Sequence, residues 1–452
     1  MANILKPDLC VIGTGAVALE LAQNARQQGL SVVLARSCGA GAGNENPRAS
    51  LRRAAFVASA NRAHALRTAD RLGLNAIEPK PNFRAVSQRA ADIADSLAPR
   101  ESGDRLAALG IEVLTDDAHF LDKSRLSCGD VVVQAKAFAL ATGMDAVIPA
   151  LPGLDEVPYF TPQTIEENTR KLTHLVVIGG SPAAFELAQA YRRLGSEVTL
   201  VPQGGLLPGF DCEQVAILLR ALLAEGIAVR EDAVVETIIP RKLGIGIALT
   251  TAAGGDSLDV SHILLAMDHA PQLDTPLLAQ LKLDCDPQRP DQLKLNAYGQ
   301  TSASRIYALG GAAGEGDSHI AAWQARLLIE RLTRKSSGKR DALYLPRYVQ
   351  TDPPLAQIGD STNASATGAT ILRSNFAELE AAIATGAPYG SGKLVVDQKG
   401  VVLAAGLVGQ GAIEAIAGLV IALSADKTLK SLSKIMLPTS VAGACLQDIS
   451  NP

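Results

Sequence analysis

Residues 8–36 read DLCVIGTGAVALELAQNARQQGLSVVLAR, and residues 174–202 read HLVVIGGSPAAFELAQAYRRLGSEVTLVP. Each stretch opens on an apolar run, passes through a Gly-rich turn, continues with Ala and Leu at i, i+3, i+4 spacing, and closes on a second apolar run. The periods are those of a strand, a helix and a strand. That is the βαβ unit that opens a dinucleotide-binding fold. Two such units in one chain predict two dinucleotide-type domains.

The first turn is Gly13-Thr14-Gly15-Ala16-Val17-Ala18. Gly13 permits the tight turn, and Gly15 lets a pyrophosphate approach the backbone. The helix N-terminus, starting at Ala16, favours that negative charge. The acid expected at the end of the second strand, to accept hydrogen bonds from a ribose, is here Arg36. A guanidinium has no acceptor. In the second turn, Gly179-Gly180-Ser181-Pro182-Ala183-Ala184, Ser181 and Ala184 replace glycines. Both are small, so a close approach stays possible. Pro202 stands where an acid or an Arg would select NAD or NADP, so that choice is not readable there.

The 452 residues are too many for one core, and two to four domains are expected. Aromatics are only 4%, so the core is aliphatic and a base-stacking surface is not expected. The net charge of -4 implies no basic face, which argues against nucleic acid and anionic membrane as partners. The apolar stretch from Val401 to Leu423 is interrupted by Gln410, Glu414 and several glycines. It reads as a strand, a turn and a packed helix rather than a membrane span. The N-terminus carries no basic signal region, so a cytoplasmic location is expected. Cysteines 10, 38, 128, 212, 285 and 445 show no C-x2-C or C-x4-C spacing. The six histidines show no ligand spacing, and no metal site is expected.

Between the two units, residues 50–110 read as helices and Glu112–Val133 as β-rich. A helix is expected at 211–226 and another at 319–333, with a strand-rich stretch at 227–267. The charged segment 333–341 reads as a linker. Beyond it, strands are expected near 345–350, 368–373, 392–396 and 401–408.

Taken in order, several pieces resemble the class I pyridine nucleotide-disulfide oxidoreductases, in the branch of mercuric reductase and dihydrolipoamide dehydrogenase. They are the first turn, Leu140-Ala141-Thr142-Gly143 followed by residues 148–154 (IPALPGL), and the second turn with its helix. Residues 306–314 (IYALGGAAG), 322–326 (AWQAR), 351–359 (TDPPLAQIG) and 393–409 (KLVVDQKGVVLAAGLVG) follow, then Leu437-Pro438-Thr439. The resemblance covers essentially the whole chain. It implies an α/β fold with two Rossmann-like domains and a C-terminal α+β dimerisation domain. The FAD-type domain is expected at 1–150 and 270–340, the NAD(P)-type domain at 151–269, and the dimerisation domain at 341–452. FAD contacts are implied at Gly13, Gly15, Ala16, Arg36, Thr142, Gly143, Gly310 and Gly311. NAD(P)H contacts are implied at Gly179, Gly180, Ser181 and Glu186, the last at the family's nicotinamide-gating position. A homodimer is implied.

The departures from the family are specific. If Pro47 aligns with the Pro after the redox C-x4-C pair, Ala40 and Glu45 occupy the two cysteine positions, and Arg48 and Ala49 stand where Ser and Lys would be. Without thiols there is no dithiol–disulfide exchange there. Leu437 replaces the His of the C-terminal His-Pro-Thr, and Ala442 replaces the downstream Glu. Gly311 replaces the Asp that holds the ribityl chain, so with Arg36 both FAD carboxylates are gone. Each charge-assisted hydrogen bond contributes ~1.5–3 kcal/mol, so FAD affinity is expected to fall by about two orders of magnitude or more. Two readings stay open: an NAD(P)H- and FAD-dependent oxidoreductase with a non-disulfide acceptor, and a catalytically inactive dimer acting as a binding or regulatory protein.

Overall fold

The computed structural model describes residues 3–37, 48–271, 278–333, 344–361, 368–425 and 427–450. Cys38, Ala40, Glu45, Pro47 and nearly all of the expected linker lie outside the described residues.

In chain order the elements begin with β1 (Asn3–Leu5), β2 (Leu9–Ile12), α1 (Ala16–Gln27) and β3 (Val32–Ser37). Helices α2 (Ala49–Arg67), α3 (Phe83–Asp95) and α4 (Gly103–Ala108) follow. Gly73, Pro79 and Pro81 keep the stretch between α2 and α3 from being helical throughout. Next come β4 (Glu112–Asp122), β5 (Arg125–Cys128), β6 (Val131–Val133), β7 (Ala137–Leu140), β8 (Asp145–Ala146) and β9 (Tyr159–Phe160). The second βαβ unit is β10 (His174–Ile178), α5 (Pro182–Arg193) and β11 (Glu197–Val201), followed by α6 (Cys212–Ala224) and β12 (Ala228–Val229). Strands β13 (Val234–Pro240), β14 (Ile245–Thr251), β15 (Gly254–Val260), β16 (His262–Leu265), β17 (His269–Ala270) and β18 (Ile306–Ala308) lead to α7 (Ser318–Leu332). The C-terminal part holds β19 (Arg347–Val349), β20 (Leu355–Ile358), β21 (Thr370–Asn375), α8 (Glu380–Ala384), β22 (Ser391–Val396) and β23 (Val402–Val408). Helices α9 (Ala412–Ser424), α10 (Leu429–Leu432) and α11 (Val441–Ser450) complete it. The apolar stretch from Val401 is β23, a turn and α9, as its sequence implies. β20 was not expected: four apolar and amide residues after a Pro pair carry too little periodicity to announce a strand.

Contacts divide the chain into two units. One comprises residues 1–52, 91–147 and 269–341, the other residues 53–90, 148–268 and 342–452. The first unit is built on a sheet of order β1-β6-β5-β4-β3-β2-β7-β18. Strands β4, β3, β2, β7 and β18 run parallel. β2 is buried on both faces, as a parallel strand should be. Leu9 and Val11 join Ala18, Leu21, Ala22 and Ala25 of α1 in one core cluster, while Cys10 and Ile12 join Phe120, Leu126 and Phe138 in another. The chain leaves β2 for β3 on one side, and β7 lies on the other. The crevice at the carboxyl ends of β2 and β7 is therefore a topological switch point, where open α/β sheets bind ligands.

The second unit holds a parallel sheet of order β12-β11-β10-β16-β9, a three-stranded antiparallel sheet β13-β14-β15, and a five-stranded antiparallel sheet β19-β20-β23-β22-β21. α5 is buried almost all round. Its polar residues Glu186, Gln189 and Arg193 fall at i, i+3, i+7 and share one face. Each finds partners. Glu186 Oε1 accepts from the Gln350 backbone N–H at 2.8 Å, and Gln189 Oε1 accepts from that of Asp352 at 2.8 Å. Arg193 bonds to Glu225, Asp352 and Asn61.

A charged network fastens α6 to the C-terminal sheet. Asp211 caps α6, accepting from the backbone N–H of Glu213 at 2.9 Å. Its other oxygen takes the Ser361 hydroxyl and, at 2.7 Å, the Lys393 ammonium. Lys393 also reaches Glu213 at 2.8 Å, which Arg373 holds at 2.9 Å. Burial alone would lower the Lys393 pKa, but its bonds to Asp211 and Glu213 outweigh that and raise it. Arg373 first, then Lys393, hold the Glu213 carboxyl down to about 2. Its contribution to stability is therefore complete above the ordinary carboxylate pKa of 4.5 and is lost as pH falls toward about 2. Removing one partner of a buried pair strands the other, so Lys393→Met should destabilise the protein by about 3–5 kcal/mol in denaturant melts. Asp211→Asn in the same chain should recover part of that loss.

Candidate dinucleotide sites

At the first turn, Gly13 has φ +143° and donates its N–H to Ala35 O at 3.0 Å. A Cβ there would lie 2.1 Å from Ala141 O, so only Gly lets β2 and β7 approach this closely as the chain turns into α1. α1 has Gly15 as N-cap and no side-chain cap, and Ala16, Val17 and Ala18 fill its first turn. Their N–H groups point out of the helix end at the crevice, where an anion can take them. Arg36 is exposed at the end of β3. Thr142 and Gly143 follow β7, with Gly143 at φ +77°. Gly310 donates its N–H to Gln324 Oε1 of α7 at 2.9 Å. A Cβ on Gly311 would lie 2.4 Å from the Gly143 carbonyl carbon and 2.7 Å from Met144 N. The sites implied at 13–16, 142–143 and 310–311 thus converge at the carboxyl edge of one sheet. At Gly311, where the resemblance implies a ribityl carboxylate, the space is closed by backbone.

The second turn is put together differently. Gly179 repeats the tight exit, with φ +130° and a would-be Cβ 2.2 Å from Ala266 O. Ser181 donates to that same Ala266 O at 2.7 Å and accepts, at 3.4 Å, from the N–H of Ala184. Pro182 at the first helical position has no N–H. Of the first three positions of α5, one lacks a donor and one is already engaged. Gly180 lies under the carbonyl of Gly205, 1.6 Å from where a Cβ would stand, and its own oxygen accepts from Leu207 N at 3.0 Å. Residues 203–207 therefore fold onto this turn.

Glu186 is held from two directions. Besides the bond from Gln350, its Oε2 lies 4.0 Å from Nη1 of Arg53, whose Nε is 3.4 Å from Glu166. Both carboxylates are nearly buried. Arg53 escaped the sequence reading, because its partners lie more than a hundred residues away. The i, i+3, i+7 polar stripe on an Ala/Leu helix was the available signal for Gln189 and Arg193.

At the C-terminus, Leu437 and Ala442 both pack partly buried against the core of the C-terminal sheet. Neither side chain can take or give a proton. Burial pushes the Cys10 thiol far up and the Cys445 thiol up to about 12, so neither is a thiolate near neutral pH. The described cysteines are all free. Among the described residues, no group of three or more His, Cys, Asp or Glu could hold a metal, and no helix is long and apolar enough to cross a membrane.

Residues 7–325 match the family model described as pyridine nucleotide-disulphide oxidoreductase. The chain belongs to that family. Residues 345–439 match the model of the family's dimerisation domain, which supports a homodimer. The chain is 27% identical over 443 residues to a mercuric reductase of Streptomyces lividans, covering 95% of this chain and 93% of that protein. It is 28% identical over 444 residues to a dihydrolipoyl dehydrogenase of Thermus scotoductus, covering 95% and 94%. Among solved structures, the HOCl-induced flavoprotein disulfide reductase RclA from Escherichia coli aligns with a TM-score of 0.82, covering 98% of this chain and 99% of that one. At 20% identity this likeness speaks for the fold alone.

FAD and NAD(P)H are the cofactors of this family. The first turn fits a dinucleotide pyrophosphate through Gly13, Gly15 and the α1 N-terminus. Arg36 and Gly311 stand where the resemblance implies the ribose and ribityl carboxylates. The two losses differ in kind, since Arg36 is exposed and replaceable whereas Gly311 has no space for a side chain. Arg36→Glu should raise FAD affinity by about tenfold or more in a fluorescence-quenching titration. Gly311→Asp should leave affinity unimproved and cost about 1–3 kcal/mol of stability by overpacking.

Proposed function

We propose that the protein is a flavin-dependent oxidoreductase that takes electrons from NAD(P)H and passes them to a non-disulfide acceptor such as oxygen, a quinone, a dye or a metal ion. The observation that carries this reading is the uncapped α1 N-terminus at the switch point, beside Gly13 and Gly143. Bound FAD would supply the two-electron chemistry, accepting hydride from the nicotinamide and releasing electrons to the acceptor. The chain's own part is to bind and orient. Gly13 makes the tight turn, Gly15 and Ala16 present N–H groups to the pyrophosphate, and Thr142 and Gly143 bound the flavin side of the crevice. Gly179, Gly180 and Ser181 form the nicotinamide dinucleotide's turn, and Glu186 is the residue beside its ring. The domains are assigned as 1–150 with 270–340 for FAD, 151–269 for NAD(P)H and 341–452 for dimerisation.

The reading of a non-disulfide acceptor rests on the positions at which the family resemblance implies thiols. Ala40 and Glu45 stand at the cysteine positions, and Leu437 and Ala442 stand where the proton shuttle would be. Both ends of disulfide chemistry are missing together, while the dinucleotide turns are retained. This pattern favours a direct route from flavin to acceptor.

A second reading, a dimeric binding protein without turnover, draws support from two observations. The ribityl position at Gly311 is closed by residues 143–144, and the α5 N-terminus is largely satisfied by Ser181 and Pro182. Purified protein reconstituted with FAD and mixed anaerobically with NADH or NADPH separates the two. The proposal expects the flavin band to bleach, to return on admitting oxygen or a quinone, and to be insensitive to thiol alkylation. A protein that takes up no FAD would instead leave the second reading standing.

A further inference from the structure

A cavity of about 1210 Å³ lies wholly within the second unit, apart from both glycine turns. Its walls come from the C-terminal half of α2 and the loop after it, the C-terminal end of α5, one face of α6, and the loops at 352–353 and 385–390. Five arginines line it: Arg67, Arg71, Arg192, Arg193 and Arg220. Only three carboxylates face them, Glu78, Glu225 and Asp352. The cavity therefore carries an excess of two positive charges in a chain whose net charge is -4.

The arginines divide by what they touch. Arg193 is buried and spent on Glu225 and Asp352. Arg67 pairs with Glu78 at 2.8 Å, and Arg192 donates to the Glu225 backbone oxygen at 2.8 Å. These three hold the walls together. Arg71 and Arg220 are exposed and, among the described residues, form no ion pair. They come from different elements, the loop after α2 and the outer face of α6. His64, half-buried with its Nδ1 3.8 Å from Glu225, has its pKa lowered by burial first and Arg193 next, so it adds no positive charge near neutral pH. Exposed Tyr389 and Leu72 give the cavity an apolar flank.

We infer that this cavity is a second ligand site, one that takes a small molecule bearing at least two negative charges, clamped between Arg71 and Arg220. Guanidinium groups bind phosphate and carboxylate bidentately, and the paired arginines behind them fix the site's shape. The volume suits a metabolite-sized anion with an apolar portion lying along Tyr389 and Leu72. The inference is independent of whether the first turn holds FAD.

Calorimetric titration of the full-length protein, as purified, with inorganic pyrophosphate and separately with citrate tests it at constant ionic strength. The expected result is saturable binding of one or both. Arg71→Ala with Arg220→Ala should weaken that binding by at least about tenfold, with the melting temperature unchanged. Arg220→Glu alone should weaken it as much. Preference for pyrophosphate or for citrate identifies the ligand as phosphate-bearing or polycarboxylate. Two results overturn the inference: no saturable binding of either anion at millimolar concentration, or binding that the arginine variants leave unchanged, which would put the anion elsewhere.

Discussion

The fold turns on two glycines that leave no space for a β-carbon. At Gly13 the missing atom would sit 2.1 Å from the carbonyl of Ala141, just past β7, and at Gly179 it would sit 2.2 Å from that of Ala266, just past β16. Each glycine lets a buried strand pass directly into a helix while pressed against the adjacent strand. The helix N-terminus then lies at the carboxyl edge of its sheet. Dinucleotide binding at such an edge follows from this placement, because the first N–H groups of the helix have no partners of their own.

The two helix starts, alike in backbone, differ in what they leave for a ligand. α1 begins on glycine with no side-chain cap, so its first-turn donors remain available. α5 begins Ser-Pro, which caps one donor and deletes another. Serine capping stabilises a helix by about 1 kcal/mol, and a phosphate at that end would have to displace or share the cap. α5 is also held along its length by Glu186, Gln189 and Arg193, which tie it to residues 350–352 and to Glu225. Its role in the structure is therefore a strut as much as a cofactor rim. The retained Glu186 has a structural reason to be there, whatever it does for a nicotinamide.

Much of this was legible in the sequence, because local signals carried it. Strand and helix periods with glycines between them gave both βαβ units to within a residue or two. The C-terminal strands β21, β22 and β23 were visible as apolar runs between turn residues. What was not legible depended on contacts far apart in the chain. That Gly311 is sealed by residues 143–144 cannot be read from a Gly-Gly pair. The meeting of Arg53 with Glu166 and Glu186 has no local mark, and neither has the arginine-lined cavity. β20 was missed because its four residues follow a Pro pair and show no alternation of apolar and polar positions.

The oxidoreductase proposed above, with a flavin turn and no redox thiol pair, should store electrons only on the flavin. Anaerobic titration of the FAD-loaded protein with dithionite measures this directly. The account predicts full reduction after two electrons per flavin, with no further uptake. Uptake of four electrons per flavin would reveal a second two-electron centre, a disulfide formed by cysteines outside the expected positions, and would contradict it.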